Sequence, residues 1–216
     1  MRDRYNKQLE LLNQQMIEMG SLCEEIIRKT SRSLEEENPA LAKNALPLEE
    51  QINEKEREIE NLCFRLLLEQ QPVASDLRKI SAALKMITDL ERIGDQAEDI
   101  AELADYVEEK ASPNDISKIR EIAEHASQMV TRSIDAYVKQ DLDLARQVIQ
   151  HDDIVDDLFS KLKKDIIGIC KERPEDGEYS LDLMMIAKYY ERVADHATNI
   201  GEWVEYSITG VHKGGQ

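Results

Sequence analysis

Aromatic residues are scarce in this chain: Phe, Tyr and Trp make up 5% of its 216 residues, so any core must be aliphatic. Five prolines and eight glycines are too few to punctuate a many-stranded fold, and no segment sustains period-two hydrophobicity with hairpin residues. Cysteine is also sparse. Cys23, Cys63 and Cys170 are widely separated, form no Cys-x-x-Cys pair and lie in apolar helical runs. Buried free thiols are therefore expected, in a reducing compartment, rather than disulfides or a zinc site. No apolar run approaches the roughly 20 residues that span a bilayer, and residues 1–15 are too polar for a secretion signal. A soluble, cytoplasmic protein with no direct membrane insertion is expected.

Positive charge is in short supply too. The chain carries 28 Lys and Arg against 45 Asp and Glu, a net charge of −17. Like charge repels nucleic acid and anionic membrane surfaces, while metal cations and basic protein patches are favoured. Catalytic machinery is equally hard to find. There is no Gly-rich phosphate loop, no Ser/His/Asp arrangement and no basic-aromatic patch. A di-iron oxidase of the ferritin type needs Glu-x-x-His on two helices of a four-helix bundle, and none of the four histidines stands three residues after a Glu. The chain is read as a regulator, not an enzyme; the oxidase and a metal-free helical scaffold are the alternatives.

What is present is helix. Leu9, Leu12, Met16, Met19, Cys23 and Ile26 alternate steps of three and four, a heptad seam. Asn38-Pro39 is a cap followed by a tolerated proline, and a second helix runs from Leu41 to Leu66, bent by Pro47 and interrupted in its seam by Lys55. After Gln71-Pro72 a third runs from Leu77 to Ala104. Ser112-Pro113 starts a fourth, Asp141 caps a fifth, and Ser180 is expected to cap a sixth after a polar loop over 173–178. Residues 210–216 read as a disordered tail.

The third and sixth helices match at an offset of one hundred: Glu91-Arg92-Ile93-Gly94-Asp95 against Glu191-Arg192-Val193-Ala194-Asp195, then Ala97, Ile100 and Glu102 against Ala197, Ile200 and Glu202. The second and fifth match at 103, with Glu49 opposite Asp152 and Ile52 opposite Val155. The economical reading is all-α: two tandem three-helix bundles related by an internal repeat, residues 1–110 and 111–210, each burying its own core, then a tail at 211–216.

Glu91 and Asp95 are one turn apart and share a helix face, and Asp99 extends the row. Glu191 and Asp195 repeat it, with Asn199 in the third place. Asp152 and Asp156 have the same spacing on the neighbouring helix, where the first copy has Glu49 and Asn53. Acidic pairs on two antiparallel neighbours can converge on a hard or borderline cation, relieving their mutual repulsion. In so acidic a chain such pairs are also commonly a solvated face. Arg92 and Arg192 read as local ion-pair partners, and His196 as a network residue.

The doubled E-R-x-x-D element resembles the PhoU family of phosphate-transport regulators, as do Met16-Ile-Glu-Met19-Gly20, Pro72-Val-Ala-Ser-Asp76-Leu77-Arg78 and Asp195-His-Ala-Thr-Asn199-Ile200. The resemblance implies a PhoU-like fold and a cytoplasmic negative regulator of phosphate uptake and homeostasis that acts through partners: the ATPase subunit of a phosphate ABC transporter, a phosphate sensor histidine kinase, and a second copy in a homodimer. It also implies iron or zinc ions bound through Glu91, Asp95 and Asp99 in the first copy and Asp152, Asp156, Glu191 and Asp195 in the second. Glu49 keeps the acid of the first copy, whereas Asn53 and Asn199 depart from the pattern. The two sites are therefore expected to differ in affinity or metal content.

Overall fold

Helix carries almost all of the residues described by the computed structural model, which are 2–69, 73–107 and 113–211; no strand occurs among them. The first unit comprises α1 (Arg2–Glu35), α2 (Pro39–Lys43), α3 (Leu46–Glu69) and α4 (Ala74–Val107). The second comprises α5 (Pro113–Lys139), α6 (Leu142–Glu172) and α7 (Gly177–Thr209), with a single 3-10 turn, Pro174–Asp176, before α7. The architecture is all-α, two three-helix units in tandem. The division at 110/111, the Gln71-Pro72 break, the Ser112 cap and the tail from residue 212 lie outside the described residues.

The repeat extends to the turns. Glu37 and Gln140, again 103 apart, both adopt left-handed backbone, with φ of 48° and 51°. In each case the amide of the next residue reaches back five positions, Asn38 to Ser33 O and Asp141 to Ala136 O, both at 3.0 Å. These are Schellman-type closures, which satisfy carbonyls that the helix end would orphan. The same residue then opens the next helix: Asn38 Oδ1 accepts from the Ala40 amide at 3.2 Å, and Asp141 Oδ1 from the Leu144 amide at 3.0 Å.

Pro47 acts more strongly than a bend. Its ring clashes with the carbonyl four residues earlier and offers no amide, so the helix stops at Lys43 and restarts at Leu46. Gln150 occupies the matching place in the second unit, and α6 runs unbroken. Three other expectations are corrected. α7 begins at Gly177 and places Ser180 inside the helix, buried, so Ser180 caps nothing. The polar stretch after α6 is one 3-10 turn rather than a long loop. Cys23 and Cys63 are buried, but Cys170, near the end of α6, is exposed. Lys55 meets Glu18 of α1 at 3.1 Å and Glu58 at 2.8 Å, which gives the polar slot in the seam its partners.

The buried side chains form one continuous cluster across both units rather than two separate cores. Each helix at the junction meets its own counterpart, running antiparallel. Along α4 and α7, Arg78 Nε donates to Ser207 O at 3.4 Å while Asp89 meets His196 and Asn199. Along α1 and α5, Thr131 donates to Glu24 and Arg120 to Glu35, both at 2.9 Å. Counterpart pairing of this kind is the arrangement of a two-fold dimer made within one chain. Gly20 admits it: a Cβ there would stand 2.8 Å from Cγ1 of Ile134 on α5. Deep in the junction Thr30 of α1 and the fully buried Tyr190 of α7 share a 3.0 Å hydroxyl hydrogen bond. No described helix is long and apolar enough to cross a membrane.

Candidate functional site

In the second unit Asp152 and Asp156 of α6 face Glu191 and Asp195 of α7. Glu191 is buried, with 8% of its surface exposed. Its carboxylate is held by Lys188 one turn earlier, and the Lys188 ammonium also stands 5.5 Å from the centre of the Phe159 ring. Burial raises Asp152 to about 6, helped by the charges of Asp195 and Asp156, while the Thr198 hydroxyl pulls the other way. Burial likewise raises Glu191, with Lys188 opposing and Asp195 and Asp156 adding. Asp156 and Asp195 lie at the exposed rim.

The first unit repeats this on α3 and α4. Asn53, one turn along α3, donates its amide to Glu49, so the residue that departs from the acidic pattern holds the neighbouring carboxylate. Arg92 contacts Glu91 at 3.3 Å and Asp95 at 2.9 Å, as local ion pairing predicts. Burial raises Glu91, and Asp95, Glu56 and Glu49 add to the shift against Arg92.

Two members of this site escaped the sequence reading. Glu56 is raised by burial and by the charges of Glu60 and Asp95; Glu98 is raised by burial and by Glu49. Residues 49, 53 and 56, and 91, 95 and 98, follow i, i+4, i+7, which returns to one stripe of a helix. A row drawn by fours drifts around the helix instead. Asp99 accordingly turns toward α7, where Arg192 and Tyr189 feel its charge. The matching residue Asn199 also leaves its site: it donates to Asp89 of α4 at 3.1 Å, beside the 3.0 Å contact of His196 with the same carboxylate. The first site is thus Glu49, Asn53, Glu56, Glu91, Asp95 and Glu98, and the second Asp152, Asp156, Phe159, Glu191, Asp195 and Thr198.

The donor set suits a cation. Asn53 Oδ1 and Asp152 Oδ1 are buried oxygens that receive no hydrogen bond, and Glu91 Oε2, also buried, is met by Arg92 at 3.3 Å without one; a buried acceptor left so is costly unless a cation meets it. All three line the two sites, which offer oxygen ligands and mutually repelling carboxylates, as hard or borderline metals require. As they stand, no three His, Cys, Asp or Glu side chains among the described residues are gathered closely enough to hold a metal ion. Asn53, Arg92 and Lys188 occupy carboxylates that would have to turn inward.

The PhoU domain family matches residues 16–104 and 119–204, once for each unit. The chain belongs to the PhoU family. A Pseudomonas putida relative described as a phosphate-specific transport system accessory protein PhoU homolog is 35% identical over 208 residues, covering 96% of this chain and 81% of that protein. The crystal structure of PhoU from Pseudomonas aeruginosa superposes with a TM-score of 0.90 at 34% identity, over 96% of this chain and all of that one. The phosphate transport system regulatory protein PhoU from Streptococcus pneumoniae gives 0.88 at 26% identity, over 96% and 98%.

Proposed function

We propose that this protein is a cytoplasmic accessory regulator of a phosphate-specific transport system. It restrains the phosphate ABC transporter and phosphate-starvation two-component signalling through contacts with the transporter ATPase subunit and the sensor histidine kinase, and it works as a homodimer. The observation that carries this reading is full-length similarity, in sequence and in fold, to proteins described as accessory or regulatory components of phosphate transport. The net charge of −17 favours basic partner surfaces over nucleic acid.

On this reading each acidic site takes a metal ion, iron or zinc, whose charge draws the facing carboxylates together and so changes the surface offered to a partner. Glu49, Glu56, Glu91, Asp95 and Glu98 would hold it in the first unit, and Asp152, Asp156, Glu191 and Asp195 in the second. The sites are not equivalent: the second replaces two of the first site's acids by Phe159 and Thr198 but has Asp156 where the first has Asn53. Different affinities follow.

The test is a phosphate-responsive reporter in phosphate-replete cells, combined with affinity purification of the tagged protein. Deletion of the gene is expected to release starvation-gene expression. The wild type is expected to copurify the ATPase subunit or the kinase, and the double substitution Glu91→Gln, Asp95→Asn to lose repression while the protein accumulates normally. Unaltered reporter output after deletion refutes the regulatory role. Full repression by the double variant refutes the part assigned to the acidic site.

A further inference from the structure

His125 of α5 and His151 of α6 place Nδ1 and Nε2 2.8 Å apart, with ring centroids at 4.9 Å and an interplanar angle of 44°. Both are half-buried. They lie on the seam opposite the second acidic site, because successive side chains on a helix diverge by about 100°: Asp152 faces α7 while His151 faces α5.

We propose that His125 and His151 form a two-imidazole site for a borderline divalent cation such as Ni2+, Cu2+ or Zn2+, clipping α5 to α6 independently of the carboxylate sites. The spacing is the first argument. Two nitrogens at about 2.0–2.1 Å from one metal stand about 2.9 Å apart at a right angle and about 3.4 Å at the tetrahedral angle. The pair already sits within a few tenths of an ångström of that range. Chemistry is the second: imidazole selects copper, nickel and zinc, whereas the all-oxygen sites suit harder ions.

Tautomerism is the third argument: a neutral imidazole carries one N–H and one lone pair, on either ring nitrogen. In the free pair one facing nitrogen carries the proton of the N–H···N bond. Moving that proton to the outward nitrogen of the same ring presents both facing lone pairs, with no change in the charge of either imidazole. Arg132 is the opposing charge, held off by its 2.6 Å hydrogen bond to Gln147 Oε1, so its removal strengthens the site.

The experiment titrates the full chain with Ni2+ alone and, separately, with Mn2+ alone, by calorimetry, for the wild type and for His125→Asn, His151→Asn and Arg132→Gln. Each histidine variant is expected to lose one Ni2+ equivalent or weaken it at least tenfold with Mn2+ binding unchanged, and Arg132→Gln to tighten Ni2+ several-fold. One equivalent of Cu2+ on the wild type is expected to show superhyperfine coupling to two nitrogens by electron paramagnetic resonance, a reading that stands even where a variant misfolds. Unchanged Ni2+ isotherms in both histidine variants overturn the proposal. So does a parallel loss of Mn2+ in well-folded variants, or copper coupling without two nitrogens.

Discussion

Removing one negative charge from the second acidic site should stabilise the metal-free protein, and only above a definite pH. Asp152 is raised from 3.8 to about 6 by burial and by Asp195 and Asp156. An acid whose folded value lies above its unfolded value binds extra protons in the folded state between the two, so stability falls as pH rises through that window. The penalty is absent below about pH 4 and complete above about pH 6. At 1.36 kcal/mol per unit the shift corresponds to about 3 kcal/mol, reduced to about 2 kcal/mol by solvent screening of a half-buried carboxylate. Asp152→Asn keeps the shape and removes the charge. In buffer with chelator at pH 8 it should raise the melting temperature by about 4–8 °C for a chain of this size. The gain should shrink to nothing at pH 4. Thermal unfolding followed by circular dichroism at half-unit pH steps measures this. A variant that melts lower than the wild type at pH 8, or that shows the same difference at pH 4 and pH 8, would refute the electrostatic account.

Three further outcomes test the scaffold. Gly20→Leu should cost about 1–3 kcal/mol by overpacking against Ile134, and Ile134→Ala in the same chain should recover part of the loss, read by chemical denaturation. Glu37→Gly and Gln140→Gly relieve left-handed backbone at the two matching turns; each should stabilise by up to about 1 kcal/mol, and together additively, since α1 and α5 run antiparallel and end at opposite ends of their junction. Tyr190→Phe removes the buried hydroxyl that meets Thr30. Thr30 keeps its bonds to Ile26 O and Ile27 O, so the expected loss is only about 1 kcal/mol, measured by equilibrium unfolding.

Sequence alone exposed the features that repeat along one helix. Heptad spacing found the buried stripes, the Asn38-Pro39 signal and the Asp141 cap placed two helix starts, and the fixed offsets revealed the duplication. The acidic pairs at 91 and 95, 152 and 156, and 191 and 195 followed from the same local logic. What it missed depended on angles and on neighbours. Asp99 was grouped with Asp95 because steps of four look collinear in a written sequence, whereas each step turns the side chain about 40° further round the helix. Glu98 and Glu56 fall on the stripe that steps of four and three preserve. The Asp89–His196–Asn199 contact and the His125–His151 pair join different helices, and no spacing within either helix encodes them. Pro47 was legible as a perturbation, but the full break at Asn44 and Ala45 depends on the ring meeting the carbonyl of Lys43.

If one acidic site has been built twice, as we propose, each copy takes its own cation. Titrating metal-free protein with Mn2+, the bound ion counted by elemental analysis after gel filtration, tests it most directly. The wild type should retain two unequal equivalents; Glu91→Gln with Asp95→Asn should remove one, and Glu191→Gln with Asp195→Asn the other. A single equivalent abolished by either double substitution, or binding untouched by both, would contradict the account.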